Sequence, residues 1–219
     1  MKIAIMQPYF LPYIGYFELM RQVDLFVFLS DVQYIRQGWV NRNRIRSHQQ
    51  PFQYLTVPVQ AAARTTKIQD MRIRPGWLPR HLKMLQHEYG KYPDCAKILE
   101  FYETLDFFEQ ISCLAQHTVR WVAERFKFPC QIVSSADIST SVRARRLVDI
   151  CHHFNADTYV NLPGGRSLYS QAEFGDVRLQ FMPPTAYENK LSILDLLITE
   201  PARCQAWLER FVPEPQDAA

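Results

Sequence analysis

Residues 2–33 decide the fold, and they read KIAIMQPYFLPYIGYFELMRQVDLFVFLSDVQ. The apolar runs at 2–6 and 25–29 are long enough for strands that are buried on both faces. Two prolines keep the loop between them out of helical geometry, and a helical spacing of apolar residues follows from Tyr13. This order of strand, loop, helix and strand predicts a parallel βαβ unit that opens an α/β domain.

Polar side chains follow both predicted strands at their carboxyl ends, which is where parallel sheets bind ligands. Gln7 follows the first strand and Asp31 follows the second, so we expect both to be catalytic. Asp31 is the candidate general base because it is the only carboxylate in the set. Tyr9 is expected to contact substrate, although the alternative is that it only packs the first helix onto the sheet. The only glycine nearby is Gly15, inside the predicted helix, which excludes a G-x-G-x-x-G or P-loop nucleotide site here.

A basic segment follows the second strand and alternates arginines with aromatic and amide side chains. The planar guanidinium of arginine suits phosphate or carboxylate, so we expect Arg42 and Arg44 to hold a diphosphate. The substrate contacts predicted in this segment are Gln33, Asn41, Arg42, Asn43 and Arg44. Two alternatives stay open: an exposed basic loop without a ligand, and an RNA-binding surface on which aromatic rings stack bases. The formal net charge of +3 is too small to predict nucleic-acid binding by itself.

The second half of the chain repeats this strand-end pattern. Ser134 ends one predicted strand, and a helix and another short strand lead to Asn161. A loop containing Gly164 and Gly165 comes next. Paired glycines permit close approach of the backbone to a ligand, or a positive φ, although ordinary tight turns use them too. We expect Ser134, Asn161, Gly164 and Gly165 to complete the substrate site.

The composition is that of a globular protein with one large domain. Of 219 residues, 47% are hydrophobic and 21% are charged, and no apolar run reaches the roughly 20 residues that a bilayer span needs. We expect a single α/β domain at residues 1–212, with a mostly parallel open sheet flanked by helices and a helical insertion at about 79–128. Residues 213–219 are predicted to be a disordered tail. Five cysteines without C-x-x-C spacing fit a reducing cytoplasm.

Several kinds of catalytic site are missing from the sequence. There is no serine nucleophile elbow and no kinase signature. His81 and His87 are six residues apart and do not form an H-x-x-x-H pair, so no metal is expected. The strand ends instead carry amides, hydroxyls, arginines and one carboxylate, a combination that suits a phosphorylated, polyhydroxylated ligand.

Three stretches resemble the WbqC-like family of bacterial proteins: MQPYFLPYIGYF at 6–17, DVQY with WVNRNRI within 31–45, and ADTYVNLPGG at 156–165. The resemblance spans nearly the whole chain and implies a role in O-antigen, lipopolysaccharide or other surface polysaccharide biosynthesis. It implies a transferase that moves a glycyl or other acyl group to an amino sugar. Many members have a His-Gln-Pro motif and a later His-Pro pair. Met6 and Met182 stand at those places here, so the resemblance carries no histidine-based mechanism to this chain.

The resemblance also implies the partners. A nucleotide-linked amino sugar would be the acceptor, and a thioester or an ATP-derived acyl group would be the donor, with no cofactor certain. An acyl or aminoacyl carrier protein could present the donor, and a homodimer stays open. The first strand, loop and helix are similar in architecture to nucleotidyltransferases of the HUP type, which makes adenylate formation or nucleotidyl transfer the second hypothesis. A non-catalytic RNA- or carrier-binding protein is the third.

Overall fold

A central sheet organises the computed structural model, which describes residues 1–135, 138–187, 190–210 and 213–218. The strands of these residues are β1 (Lys2–Met6), β2 (Leu25–Phe28), β3 (Arg42–Ile45), β4 (Gln53–Thr56), β5 (Gln131–Ser134), β6 (Thr158–Asn161), β7 (Arg178–Phe181) and β8 (Gln216–Asp217). The central sheet has the order β5-β2-β1-β6-β7-β8. Its first five strands pair in parallel, and β8 pairs antiparallel with β7. The predicted α/β fold with a mostly parallel sheet is confirmed.

Both faces of the sheet are covered, which explains why its strands are apolar throughout. Ala4 and Phe26 enter one hydrophobic core, whereas their neighbours Ile3 and Val27 enter the other. This division follows from the two-residue period of a strand, which sends successive side chains to opposite faces.

Helices form the outer layers. In the described part of the chain they are α1 (Ile14–Arg21), α2 (Leu78–Tyr89), α3 (Cys95–Glu103), α4 (Ile111–Arg125), α5 (Arg143–His153), α6 (Gln171–Phe174), α7 (Ile193–Thr199) and α8 (Pro201–Arg210). α5 and α6 cover one face of the sheet, and the others pack into the core on the opposite face. The predicted helical middle section is therefore present as α2 to α4. Among the described helices, none has both the length and the apolarity that crossing a bilayer requires.

The basic segment forms a strand rather than a loop. β3 pairs antiparallel with β4 in a separate two-stranded sheet. Along β3, Asn43 and Ile45 are buried, whereas Arg42 and Arg44 are half-buried on the other side. The Asn43 amide donates to the backbone carbonyl of Leu11 at 2.8 Å, which holds this hairpin against the β1–α1 loop.

The end of the chain differs from the predicted disordered tail. β8 adds two residues to the edge of the central sheet, and the Asp217 carboxylate accepts hydrogen bonds from Arg178 at 2.6 Å and from Gln180 at 3.0 Å. These contacts, led by the bond from Arg178, lower the pKa of Asp217 to about 2. Two polar residues carry no periodic pattern, so this strand could not be predicted from the sequence. Residues 211, 212 and 219, which the predicted domain and tail include, lie outside the described residues.

Candidate ligand-binding cleft

A cleft of about 850 Å³ opens at the carboxyl ends of β1 and β6. Parallel sheets bind their ligands at this edge, and the volume is that of a small-molecule site. The polar lining residues are Gln7, Tyr9, Tyr13, Asn43, Arg44, Tyr159, Asn161, Tyr169, Thr185 and Lys190. A smaller groove of about 440 Å³ lies at the opposite edge, beside Lys2 and Asp157, where the strands begin. The strand-end rule selects the larger cleft.

The cleft is cationic. Among its described lining residues the charged ones are Arg44 and Lys190, and none is an aspartate or a glutamate. The Arg44 guanidinium lies over the rings of Trp39, at 5.1 Å, and Phe52, at 4.3 Å. Its buried Nε has no hydrogen-bond partner in the described part of the chain. A cation that aromatic rings hold in place, without a carboxylate beside it in the cleft, attracts an anionic group such as phosphate.

Four tyrosines line the described part of the cleft, and two of them, Tyr9 and Tyr13, belong to the loop between β1 and α1. Burial raises the pKa of Tyr9, and burial together with the Glu18 carboxylate and the neighbouring Tyr9 raises the pKa of Tyr13 to about 12. Both phenols are therefore protonated at neutral pH and can donate hydrogen bonds to sugar or phosphate oxygens. Gly15 makes room for Tyr13, because a Cβ atom at position 15 would lie 2.4 Å from Cε2 of the Tyr13 ring.

Asn161 and the two glycines form the wall beyond β6. The Asn161 Oδ1 accepts a hydrogen bond from the backbone N–H of Leu162 at 2.8 Å, which fixes the amide at the strand end. A Cβ atom at Gly165 would lie 2.4 Å from the Asn161 Nδ2, whereas one at Gly164 would meet nothing within 4 Å. Neither glycine has a positive φ. Close packing explains Gly165, and the space beside Gly164 is open.

The structure brings together most of the residues predicted at the strand ends. Those that line the cleft are Gln7, Tyr9, Asn43, Arg44, Asn161, Gly164 and Gly165. The Asn43 amide, however, is occupied: its nitrogen donates to Phe10 and Leu11, and its Oδ1 accepts from the backbone N–H of Arg44 at 2.8 Å. Asn43 therefore positions the hairpin, and Arg44 next to it faces the ligand space.

Asp31 lies outside the cleft, contrary to the expected common pocket. Its buried carboxylate forms an ion pair with Arg146 of α5 and accepts a hydrogen bond from the Ser135 hydroxyl at 3.3 Å. Leu29 and Ile35, on either side of Asp31, line the cleft, so the chain after β2 passes along it, whereas the Asp31 side chain binds Arg146 of α5. The carboxylate is thus engaged with α5 and is not among the residues that line the cleft. The assignment of Asp31 as the general base is corrected accordingly.

Gln33 and Asn41 also lie outside the cleft, and both bind the backbone. The Gln33 Nε2 donates to the carbonyl of Arg64 at 2.7 Å. The Asn41 Nδ2 donates to the carbonyl of Val57 at 2.8 Å, and its Oδ1 accepts from the Tyr34 hydroxyl at the same distance. These amides stabilise the hairpin and the preceding loop, which corrects their assignment as substrate contacts.

Arg42 and Ser134 are likewise absent from the cleft lining. The Arg42 guanidinium lies 4.3 Å from the centre of the Tyr54 ring and donates to the carbonyl of Gln37. Ser134 ends β5, the edge strand on the far side of β2. Of the two arginines expected to hold a diphosphate, only Arg44 is placed to do so.

No histidine lines the described part of the cleft. His81, next to Arg80 in the first turn of α2, is instead a buried structural residue. One ring nitrogen lies 2.8 Å from the Thr56 carbonyl oxygen and the other 3.1 Å from the Tyr102 hydroxyl. Burial lowers the pKa of His81 to about 4, so the ring is neutral at physiological pH.

The sequence prediction missed the wall that follows β7. Pro184, Thr185 and Lys190 line the cleft beyond the carboxyl end of that strand. The strand-end rule that selected Gln7 and Asn161 would also have selected this segment. The rim is apolar, with Ile35 59% and Leu168 67% exposed, so a ligand with an apolar or aromatic part finds a surface there.

Comparisons with known proteins identify the family of this chain. The chain is 29% identical, over 225 aligned positions, to the uncharacterized protein Rv1507c of Mycobacterium tuberculosis, and the alignment covers 94% of this chain and 97% of that protein. No solved structure matches the chain. The model of the WbqC-like protein family matches residues 7–204, which include all the polar lining residues of the cleft. The chain therefore belongs to the WbqC-like protein family.

Proposed function

We propose that this protein is a transferase that joins an acyl group, such as a glycyl group, to the amino group of a nucleotide-linked sugar in surface polysaccharide biosynthesis. The observation that carries the proposal is the cationic cleft at the β1–β6 edge, in which Arg44 and Lys190 have no carboxylate among the described lining residues. Such a site suits the diphosphate of a nucleotide sugar. The family resemblance to proteins of O-antigen biosynthesis supports the same class of substrate.

The ligand's parts correspond to different walls of the cleft. Arg44 and Lys190 would hold the diphosphate, and the exposed ring of Trp39 beside Arg44 would stack on the base. The Tyr9 and Tyr13 hydroxyls and the Asn161 amide would bind sugar hydroxyls. This arrangement leaves Gln7, at the end of β1, beside the reacting amine.

The described lining contains no carboxylate, imidazole or thiol, so the proposed chemistry rests on positioning and electrostatic stabilisation. The neutral amine of the sugar attacks the acyl carbonyl carbon. A C–N bond forms, the C–S bond of a thioester or the C–O bond of an acyl phosphate breaks, and an amine proton leaves with the thiolate or phosphate. The Gln7 amide would donate a hydrogen bond to the oxyanion of the transition state.

Isothermal titration with nucleotide-linked amino sugars tests the binding site. Loss of a hydrogen bond to a charged group costs about 1.5–3 kcal/mol, so Arg44→Ala should weaken binding by about 10- to 100-fold. Arg42→Ala is the matched control, because Arg42 lies on the same strand and over the same Tyr54 ring but outside the cleft. Equal effects of the two substitutions, or no binding by the unmodified protein, would reject the proposal.

Mass spectrometry of the sugar product tests the reaction. The protein should add an acyl group to the amino sugar when a thioester, acyl phosphate or acyl adenylate is supplied, and Arg44→Ala should slow this addition. If a nucleotide sugar binds in the cleft but gains no acyl mass with any of these donors, the binding site stands and the proposed transferase activity is rejected.

A further inference from the structure

Two histidines and a glutamate meet on the surface outside the cleft. His48 follows β3, and His87 and Glu88 lie in the last turn of α2. One nitrogen or oxygen atom of each side chain lies within 4.8 Å of those of the other two. None of the three lines the cleft. The sequence pattern could not show this cluster, because His48 is 39 positions from His87.

We propose that the His48–His87–Glu88 cluster binds Zn²⁺. Two imidazole nitrogens and one carboxylate oxygen are a known ligand set for this ion, and a water molecule commonly occupies the fourth tetrahedral position. Both histidines are exposed, so the ion reaches them from solvent without any rearrangement of the fold.

Glu88 is the fixed member of the cluster. Its side chain is 6% exposed, and its Oε1 accepts a hydrogen bond from the Gln53 amide at 2.6 Å. Its Oε2 accepts a hydrogen bond from the backbone N–H of His48 at 3.0 Å. Hydrogen bonds of this kind orient metal-binding carboxylates and are part of what makes a site tight. The carboxylate is therefore held at the cluster before any ion arrives.

The histidine rings need only a small movement. The His48 Nδ1 lies 2.5 Å from the Glu88 Oε2, and the two imidazole centres are 5.7 Å apart. Ligand atoms at about 2.0–2.1 Å from a tetrahedral zinc ion are about 3.3 Å from each other. A rotation of the His48 side chain, which is 46% exposed, opens that gap and replaces one hydrogen bond with two bonds to the ion.

Zn²⁺ titration of the chelator-treated protein by calorimetry, and Co²⁺ substitution followed by visible absorption, test the site. We expect about one Zn²⁺ per chain and a tetrahedral Co²⁺ spectrum. His48→Ala and His87→Ala should each weaken Zn²⁺ binding by about tenfold or more, since even outer-shell partners contribute that much. His152→Ala is the control, because this exposed histidine pairs with the Asp176 carboxylate at 3.2 Å and belongs to no three-residue metal-binding group of the described residues.

Melting curves of all variants verify that they are folded, and the two exposed histidines decide the result even if a Glu88→Gln variant does not fold. The proposal is overturned if the unmodified protein binds no Zn²⁺, or if the His48→Ala, His87→Ala double variant still binds one ion with unchanged affinity. An equal loss in His152→Ala would also overturn it, because binding would then be a property of any surface histidine.

Discussion

The backbone of Gly165 and the side-chain nitrogen of Asn161 lie so close that a Cβ atom between them would be 2.4 Å from that nitrogen. The amide keeps its place at the end of β6 because residue 165 has no side chain. The neighbouring glycine has no such restriction. Packing therefore requires glycine at position 165 but not at position 164.

Gly165→Ala should destabilise the fold by about 1–3 kcal/mol through overpacking against Asn161 and Phe181. It should also weaken nucleotide-sugar binding by moving the amide. Gly164→Ala, where a Cβ meets open space, should change the free energy of unfolding by less than about 0.5 kcal/mol. Urea unfolding and calorimetry measure both effects. Similar stability losses at the two positions would show that packing against Asn161 is not the reason for Gly165.

Asp31→Asn should lower the free energy of unfolding by about 3 kcal/mol or more, because it leaves the Arg146 guanidinium buried without its counter-ion. Glu109→Gln breaks the exposed Arg72–Glu109 pair and should cost less than about 1 kcal/mol. Denaturant unfolding gives both values. Since Asp31 lies outside the cleft, the folded Asp31→Asn variant should keep its nucleotide-sugar affinity to within about twofold. A large loss of nucleotide-sugar affinity without a loss of free energy of unfolding would contradict this placement and show that Asp31 belongs to the binding site.

Tyr13→Phe and Gly15→Ala should weaken nucleotide-sugar binding by the same route. The first removes the hydroxyl, and the second pushes the ring that carries it, because the added methyl group would lie 2.4 Å from Cε2. Their effects on the binding free energy should therefore not add in the double variant. Additive losses in calorimetry would mean that Gly15 acts on the cleft through some other contact. Alanine is a better helix former than glycine, so a general loss of α1 stability is not the expected cause.

Acid should destabilise the protein through His81. Burial lowers its pKa from 6.5 to about 4, so the unfolded chain takes up this proton first as the pH falls. The stabilising contribution is fully present above about pH 6.5 and falls by up to about 3 kcal/mol as the pH drops to about 4. Urea unfolding at several pH values gives the slope. His81→Phe should flatten it in this range, leaving the smaller contribution of His117, whose pKa burial also lowers. An unchanged slope would contradict the neutral buried state of His81.

The sequence was sufficient for most of the central sheet, though not for β8, and for one side of the cleft. Apolar runs identified β1, β2 and β6, and the strand-end rule then placed Gln7 and Asn161 at a common edge. The same rule failed for Asp31, although Leu29 and Ile35 on either side of it line the cleft. A local pattern does not show which long-range partner a carboxylate binds, and here that partner is Arg146 of α5.

The two arginines predicted to bind phosphate show a second reason why part of the site could not be predicted from the sequence. Arg42 and Arg44 are the same residue type and lie two positions apart, so a strand directs both side chains to the same side. Nothing in the local sequence distinguishes them. What separates them is a long-range contact: Arg44 lies where β3 meets the β1–α1 loop through the hydrogen bonds of Asn43. Lys190 is a similar case, since Gln7 and Arg44, which line the cleft with it, are more than a hundred positions away in the chain.

Arg44 and Asn161 belong to two different sheets, the hairpin and the central one, whose described strands do not pair with each other. A molecule that contacts both residues would hold the two sheets together. The coupling between the two events is reciprocal: if the bound molecule stabilises the docking of the hairpin by a certain free energy, a docked hairpin strengthens binding of that molecule by the same free energy. Evolutionary selection for stable docking of the hairpin and selection for substrate affinity would then act on the same contacts.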